Sequence, residues 1–240
     1  MTAGAGPVVV LTGAGISAES GLSTFRDADG IWAHHAIEDV ATPEAFRRNP
    51  AGVHAFYNER RRNLLDPRIR FNAAHEALAE LERGMPGRVM LVTQNVDDLH
   101  ERAGSNPVHM HGELLKARCE RCGSAARWTV DLSTTTPCPA CRVAGGMRPH
   151  VVWFGEMPME MTRIEAAVSR CGLFVAIGTS GQVYPAAGFV QMARYRAGAR
   201  TVELNLEETD LSERFDDSRR GPASELVPVF VREVLEGRAP

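Results

Sequence analysis

Short apolar runs that stop abruptly at small or polar residues recur along this chain. The first, Val8 to Leu11, is followed by Thr12-Gly13-Ala14-Gly15-Ile16-Ser17-Ala18. Four consecutive apolar residues without alternation predict a strand buried on both faces. Val89 to Val92 runs into Thr93-Gln94-Asn95-Val96-Asp97, and Val108-His109-Met110 into His111-Gly112-Glu113. Phe174 to Ile177 runs into Gly178-Thr179-Ser180, and Val202 to Leu204 into Asn205. Short apolar strands alternating with helices predict an α/β fold: a Rossmann-like parallel sheet with helices on both faces. Such a sheet binds its ligand beyond the carboxyl ends of its strands, where the residues closing each run gather.

The helices between the strands carry their own punctuation. Thr42-Pro43-Glu44 predicts a helix with proline at its first position, and Asn49-Pro50 ends that helix and opens the next. In the second helix Val53, Phe56, Tyr57, Arg60 and Leu64 share one face at the helical period, with Arg62 opposite. Arg60 therefore stands within an apolar stripe, where its guanidinium either snorkels, meets an anion, caps a carbonyl or pairs with a buried acid; the pattern leaves these open. Asn72 is placed to cap a helix through Leu81 that closes at Gly84, and His75 on it reads as a core histidine.

The first glycine turn has chemistry to offer. Gly13-x-Gly15-x-x-Ala18 after a buried strand fits a phosphate-binding turn: Gly13 for the bend, Gly15 for close approach of backbone to a pyrophosphate, Ala18 for helix packing. A plain strand-turn-helix fits that motif equally well by itself, and the other strand ends are what favour dinucleotide binding. The acidic residue expected about twenty positions later for a ribose is missing. Instead a polar segment with Phe25, Arg26 and Trp32 follows, which reads as a flap over a cofactor or as a surface loop.

Composition narrows the class. The 240 residues are 44% hydrophobic and 24% charged, enough for one sizeable core, and a net charge of -3 gives no electrostatic case for nucleic acid or an anionic membrane. No apolar run reaches the length of a membrane span and no secretory signal pattern opens the chain, so a cytoplasmic location is expected. Four of the five cysteines form Cys119-x-x-Cys122 and Cys138-x-x-Cys141, the spacing of a zinc ribbon. Four thiolates close a tetrahedral shell, so the one Zn²⁺ expected is structural. Cys171 lies outside the pattern and reads as a small core residue.

Taken together, Gly13-Ala14-Gly15-Ile16-Ser17, Thr24-Phe25-Arg26, Thr93-Gln94-Asn95-Val96-Asp97, His111-Gly112-Glu113, the two cysteine pairs, Phe154-Gly155-Glu156, Gly178-Thr179-Ser180 and Asn205-Leu206 resemble the sirtuins, NAD-dependent protein lysine deacylases. The match runs in the family's order over nearly the whole chain. Tyr57-x-x-Arg60 further resembles the class III members, which accept succinyl- and malonyl-lysine. Phe71 stands before Asn72 where the family usually has proline, a departure that touches only the entry of that helix. The resemblance implies a single catalytic domain over 1–240: a Rossmann lobe of 1–30, 67–112 and 151–240, a helical insertion at 31–66 and a zinc-ribbon insertion at 113–150, the two insertions forming a small lobe.

Carried over by position, the resemblance implies that Gly13, Ala14, Gly15 and Ser17 hold the NAD pyrophosphate, with Phe25, Arg26 and Trp32 closing over it. Gln94, Asn95 and Asp97 would meet the nicotinamide ribose and carboxamide. Gly178, Thr179, Ser180, Asn205, Leu206, Glu207 and Ala223 would hold the adenosine end. Ala41 is the small acyl-pocket residue, beside Tyr57 and Arg60. Val152 and Phe154 would line the acyl-lysine tunnel, and the substrate backbone would add between Gly155-Glu156 and Gln182-Val183. His111 would act as the general base. The implied partner is acylated lysine on proteins, with no nucleic acid, no membrane and no oligomer required. The rival expectations are mono-ADP-ribosyl transfer, which a stably ADP-ribosylated protein product would reveal, and a non-catalytic NAD- or zinc-binding interaction module.

Overall fold

The computed structural model describes residues 6–22 and 36–238. Its strands are β1 (Val8–Thr12), β2 (Val89–Thr93), β3 (Val108–His109), β4 (Gly112–Cys119), β5 (Ala125–Arg127), β6 (Met147–Val151), β7 (Leu173–Ile177), β8 (Arg200–Asn205) and β9 (Asp217–Arg220). Six of them form one sheet in the order β3-β2-β1-β7-β8-β9, every pairing parallel. This is the doubly wound order, with its reversal at β1, so the crevice for a ligand opens beyond the carboxyl ends of β1 and β7. The helices are α1 (Gly15–Ala18), α2 (Ile37–Val40), α3 (Pro43–Arg48), α4 (Pro50–Leu64), α5 (Ala73–Gly84), α6 (Leu99–Arg102), α7 (Met161–Val168), α8 (Phe189–Met192) and α9 (Ala223–Leu235).

The uninterrupted apolar strands are buried on both faces, as their composition requires. Val8, Val10, Val175, Val202 and Leu204 pack against Leu78 and Leu81 of α5 and Val227, Phe230 and Val231 of α9. Val9, Leu11, Phe174 and Ala176 point the other way, onto Ile164 and Val168 of α7 and Phe189 and Val190 of α8. Each such side chain removed from water contributes about 1.5 to 3 kcal/mol. Cys171 is part of this second core.

The helix caps appear where proline and asparagine place them. Thr42 Oγ1 accepts from Ala45 N at 3.0 Å with Pro43 at the first helical position, and Asn49 Oδ1 accepts from Gly52 N at 3.0 Å ahead of Pro50. Asn72 caps α5 in spite of Phe71, completes a capping box with His75, and ties α5 to α1 through the Ile16 carbonyl at 2.8 Å. His75 is fully buried, as a core histidine.

A second sheet, β5-β4-β6, is antiparallel. Its central strand β4 runs from Gly112 to Cys119, so one strand joins the mouth of the crevice to the cysteine cluster. Helices α2, α3 and α4 pack on this sheet's near end through Val40, Ala41, Val53, Phe56, Tyr57, Leu114, Val151 and Trp153. The buried guanidinium of α4 that anchors the two parts is Arg61, only 1% exposed, which donates to the carbonyl of Leu114 at 3.2 Å and to Asn58 Oδ1 at 2.8 Å. Among the described residues no helix is long and apolar enough to cross a membrane.

Candidate active site

The turns at the ends of β1 and β7 interlock through glycines. A Cβ on Gly13 would meet the Gly178 carbonyl oxygen at 2.7 Å, one on Gly15 would meet Gly178 Cα at 2.7 Å, and Gly178 itself has φ +60°. Neither Gly13 nor Gly15 needs a left-handed backbone, and the Gly15 N–H donates to the Gly178 carbonyl at 2.9 Å. These two glycines are required by contact of one turn with the next, whatever the turn binds. Helix α1, with four residues, does not extend Ala18 into a long packed helix.

Toward the strand ends, between the sheet and α8, a cavity is lined by Leu11, Gln94, Ala176, Thr179, Val190 and Glu203. Beside it three side chains from two strand ends converge. Ser17 Oγ donates to Asp97 Oδ2 at 3.1 Å, and Asn95 Nδ2 donates to Ser17 Oγ and to the Gly13 carbonyl, each at 3.1 Å. Burial raises the Asp97 carboxyl above its ordinary value, opposed by the Leu99 N–H and the Ser17 hydroxyl. On the far side Asn205 Nδ2 holds the Thr179 carbonyl at 2.8 Å, which fixes the turn after β7. Ala223 opens α9, while Leu206 and Glu207 stand exposed at the end of β8.

His111 lies at the junction of the two sheets. The preceding residue Met110 bonds to the Thr93 carbonyl through its N–H, and the His111 carbonyl accepts from Val152 N at 2.9 Å. Gly112, at φ +81°, turns the chain into β4 where a Cβ would lie 2.2 Å from the His150 carbonyl oxygen. The ring's Nδ1 is 3.1 Å from the Gln94 carbonyl, so Nδ1 carries the proton and Nε2 the lone pair. Burial lowers the imidazole below its ordinary value, opposed by that carbonyl. The ring is thus a neutral base at pH 7.

Two residues earlier, His109 has the opposite character. Nδ1 is 3.0 Å from the Asn95 carbonyl and Nε2 is 2.7 Å from Glu101 Oε1. Both nitrogens face acceptors, and burial, which would discharge the ring, is outweighed by the Glu101 carboxylate so that the pKa is raised.

Tyr57 and Arg60 lie one turn apart on α4, in a wall that is otherwise apolar. Tyr57 is 3% exposed and its oxygen accepts from Trp153 Nε1 at 3.0 Å; the Arg60 guanidinium stands 5.6 Å from the same ring's centroid. Burial raises the phenol and lowers the guanidinium, the latter opposed by Tyr57 and by Asp97, so this pair is within electrostatic reach of the Asp97 cluster. Ala41 is buried against the same wall and its carbonyl accepts from Phe154 N at 2.9 Å. Phe154 is 47% exposed, as a residue lining a tunnel mouth would be. The Glu156 side chain is engaged within the protein. Its carboxylate accepts two bonds from Arg148 (2.7 and 2.9 Å), one from Arg118 (3.0 Å) and one from Trp153 N (2.8 Å), which leaves only its backbone to meet a peptide.

The four ribbon cysteines converge. Their Sγ atoms all lie within 4.8 Å of one another, with Cys119 to Cys141 at 3.9 Å and Cys122 to Cys138 at 3.7 Å. Ligands about 2.3 Å from a tetrahedral zinc stand about 3.8 Å apart, whereas disulfide sulfurs lie about 2.05 Å apart. The cluster therefore fits one four-thiolate Zn²⁺ with no open position. Because β4 runs from Cys119 to Gly112, Cys119→Ala or chelation is expected to lower thermal stability and activity together. Lost activity in a protein that still melts at the same temperature and still holds zinc would refute a structural metal.

A family model described as the Sir2 family matches residues 13–185. The chain belongs to the Sir2 family. It is 57% identical over 231 residues to an NAD-dependent protein deacylase of Escherichia coli K12, covering 96% of this chain and 82% of that protein. It is 58% identical over 233 residues to an NAD-dependent protein deacylase of Leishmania major, covering 95% and 96%. The solved structure of a Sir2 homologue with NAD superposes with a TM-score of 0.85 at 40% identity, covering 97% of this chain and 90% of that one.

In this sirtuin the expected flap residues Phe25, Arg26 and Trp32 lie outside the described residues. The structure gathers Gly13, Gly15, Ser17, Asn95, Asp97, Gly178 and Thr179 at the strand ends and Ala41, Tyr57, Arg60, Phe154 and Trp153 around α4. Sequence reasoning overlooked Trp153, Arg148 and the Glu101–His109 pair. An arginine and a tryptophan at positions that strand pattern buries, Arg148 on β6 and Trp153 just after it, were the signal that could have found the first two.

Proposed function

We propose that this sirtuin removes acetyl, succinyl and malonyl groups from protein lysine side chains, consuming NAD and one water and giving nicotinamide, 2′-O-acyl-ADP-ribose and free lysine. The observation that carries the acyl choice is the Tyr57–Arg60 pair, a buried phenol and a half-buried guanidinium one turn apart on α4 beside an apolar wall. The NAD dependence is supported by its relatives, named NAD-dependent protein deacylases at 57% and 58% identity. The residues at the strand ends fit a dinucleotide: small turns meet there, and Gln94, Asn95, Thr179 and Asn205 offer amide and hydroxyl groups.

In this reading Ser17, Asn95 and Asp97 position the nicotinamide ribose, and Thr179, Ser180, Asn205 and Ala223 the adenosine end. Bound NAD supplies a ribose carbon from which nicotinamide can depart in favour of the acyl oxygen. His111 Nε2 takes the proton of a ribose hydroxyl, a task for which its buried, neutral ring is suited. Val152 and Phe154 guide the lysine stem, and the backbone at Gly155-Glu156 and at Gln182-Val183 receives the substrate strand.

Acetyl-, succinyl- and malonyl-lysine peptides assayed side by side with NAD test the proposal. Nicotinamide release that requires an acyl peptide, with all three acyl groups removed, is the expected result. Nicotinamide release without acyl transfer, or acetyl removal alone, would contradict it.

A further inference from the structure

Trp153 is 2% exposed, and every part of it is fixed. Its main-chain N–H donates to Glu156 Oε2 at 2.8 Å. The Arg148 guanidinium lies flat on the indole, 3.2 Å from the ring centroid, and is itself gripped by both oxygens of Glu156 and by the Val151 carbonyl at 3.0 Å. Phe46 closes against the ring at a centroid distance of 5.2 Å. An indole held in this way cannot swing, so its one polar atom has one direction, and in that direction stands the Tyr57 oxygen at 3.0 Å.

A phenol oxygen accepts through two lone pairs and donates one proton. In Tyr57 the Trp153 N–H takes an acceptor position, and the Arg60 guanidinium stands beside the ring, 5.6 Å from its centroid. Arginine and tryptophan are donors only, so neither can receive the phenol's proton, which is left to point away from both. The acceptor that suits it is the terminal carboxylate of an acidic acyl chain, which Arg60 also attracts. An acetyl group has no such oxygen to offer.

We propose that Trp153 is a specificity-positioning residue, whose indole N–H turns the Tyr57 hydroxyl proton into the acyl tunnel so that a carboxylate-ended acyl group meets a donor already aimed at it. The proposal rests on the reading of Tyr57 and Arg60 as the acyl-carboxylate site. It assigns the preference for acidic acyl groups to a chain that begins outside the pocket: Glu156 holds Arg148, Arg148 holds the indole, and the indole orients the phenol.

Trp153→Phe keeps an aromatic face for Arg148 and removes the N–H. The ratio of kcat/KM for succinyl- over acetyl-lysine peptide is expected to fall about three- to tenfold, the worth of one neutral hydrogen bond. In a Tyr57→Phe background, where no hydroxyl remains to orient, the same change should leave the ratio unmoved. Where Trp153→Phe melts early, benzothienylalanine at 153, which replaces the N–H by sulfur in the same ring shape, gives the same readout in a packed core. Equal losses on both peptides, or an unmoved ratio beside a fall in Tyr57→Phe, would overturn the role of Trp153 while leaving the pocket standing. A ratio unmoved by Tyr57→Phe itself would overturn the pocket and, with it, this proposal.

Discussion

His111→Ala is expected to lower deacylation turnover by about 10² to 10⁴, the usual worth of a positioned general base, while NAD binding stays largely intact. The two effects separate because the Asn95, Asp97 and Ser17 cluster bonds among its own members and to the Gly13 carbonyl, and draws on no atom of the His111 ring. The pH dependence follows from the same geometry. Burial depresses the folded imidazole, so the base stays deprotonated through neutrality and protonates only as pH falls below its ordinary 6.5. The acid limb of kcat/KM should therefore lie below that of a free imidazole and vanish in the variant. Steady-state rates with NAD affinity measured separately check this. Near-normal turnover in His111→Ala would remove the assignment.

The parallel sheet was legible because its central strands β1 and β7 are buried on both faces as near-continuous apolar runs, and each ends in residues that cannot continue it. The caps at Thr42, Asn49 and Asn72 and the spacing of the four cysteines were legible because each is local: the partner lies within a few residues. Four features were not. Strand β9, Asp217-Ser218-Arg219-Arg220, is polar on both faces and has no hydrophobic period to show. It is tied to β8 by a buried acid, Glu203, which is 2% exposed and binds Thr209, Ser212, Ser218 and Arg220. Helix α9 has no side-chain cap and carries Pro228 inside it, a residue that in a sequence argues for a break; packing on α5 and the sheet overrides it. The roles of Gly13 and Gly15 depend on Gly178, more than 160 residues away, and no local motif carries such information. The same holds for the orientation of Tyr57, since its partner Trp153 lies 96 residues on. Local chemistry is written in the sequence, and the contacts between strand ends that assemble a site are set by topology.

Arg60→Met is expected to separate the proposed removal of acidic acyl groups from removal of acetyl. A carboxylate at the end of a succinyl or malonyl chain binds a guanidinium through two parallel bonds. Hydrogen bonds to charged partners are worth roughly 1.5 to 3 kcal/mol each, so the loss should cost those substrates about ten- to a hundredfold or more in kcat/KM. Methionine fills the volume of the stem and keeps the apolar wall formed by Phe56, Tyr57 and Trp153. Acetyl-lysine should be nearly untouched, or improved, because the variant removes a cation whose burial already works against its charge. The structure sharpens the control for this experiment. The basic residue on α4 that holds the fold is the neighbouring Arg61, bonded to Leu114 and Asn58 across the interface with β4. Arg61→Met should therefore lower thermal stability and depress acetyl and succinyl activities alike, whereas Arg60→Met should leave the melting temperature close to that of the parent. Equal losses on acetyl and succinyl peptides in Arg60→Met would show instead that Arg60 supports the fold as Arg61 does, and that another group reads the acyl carboxylate.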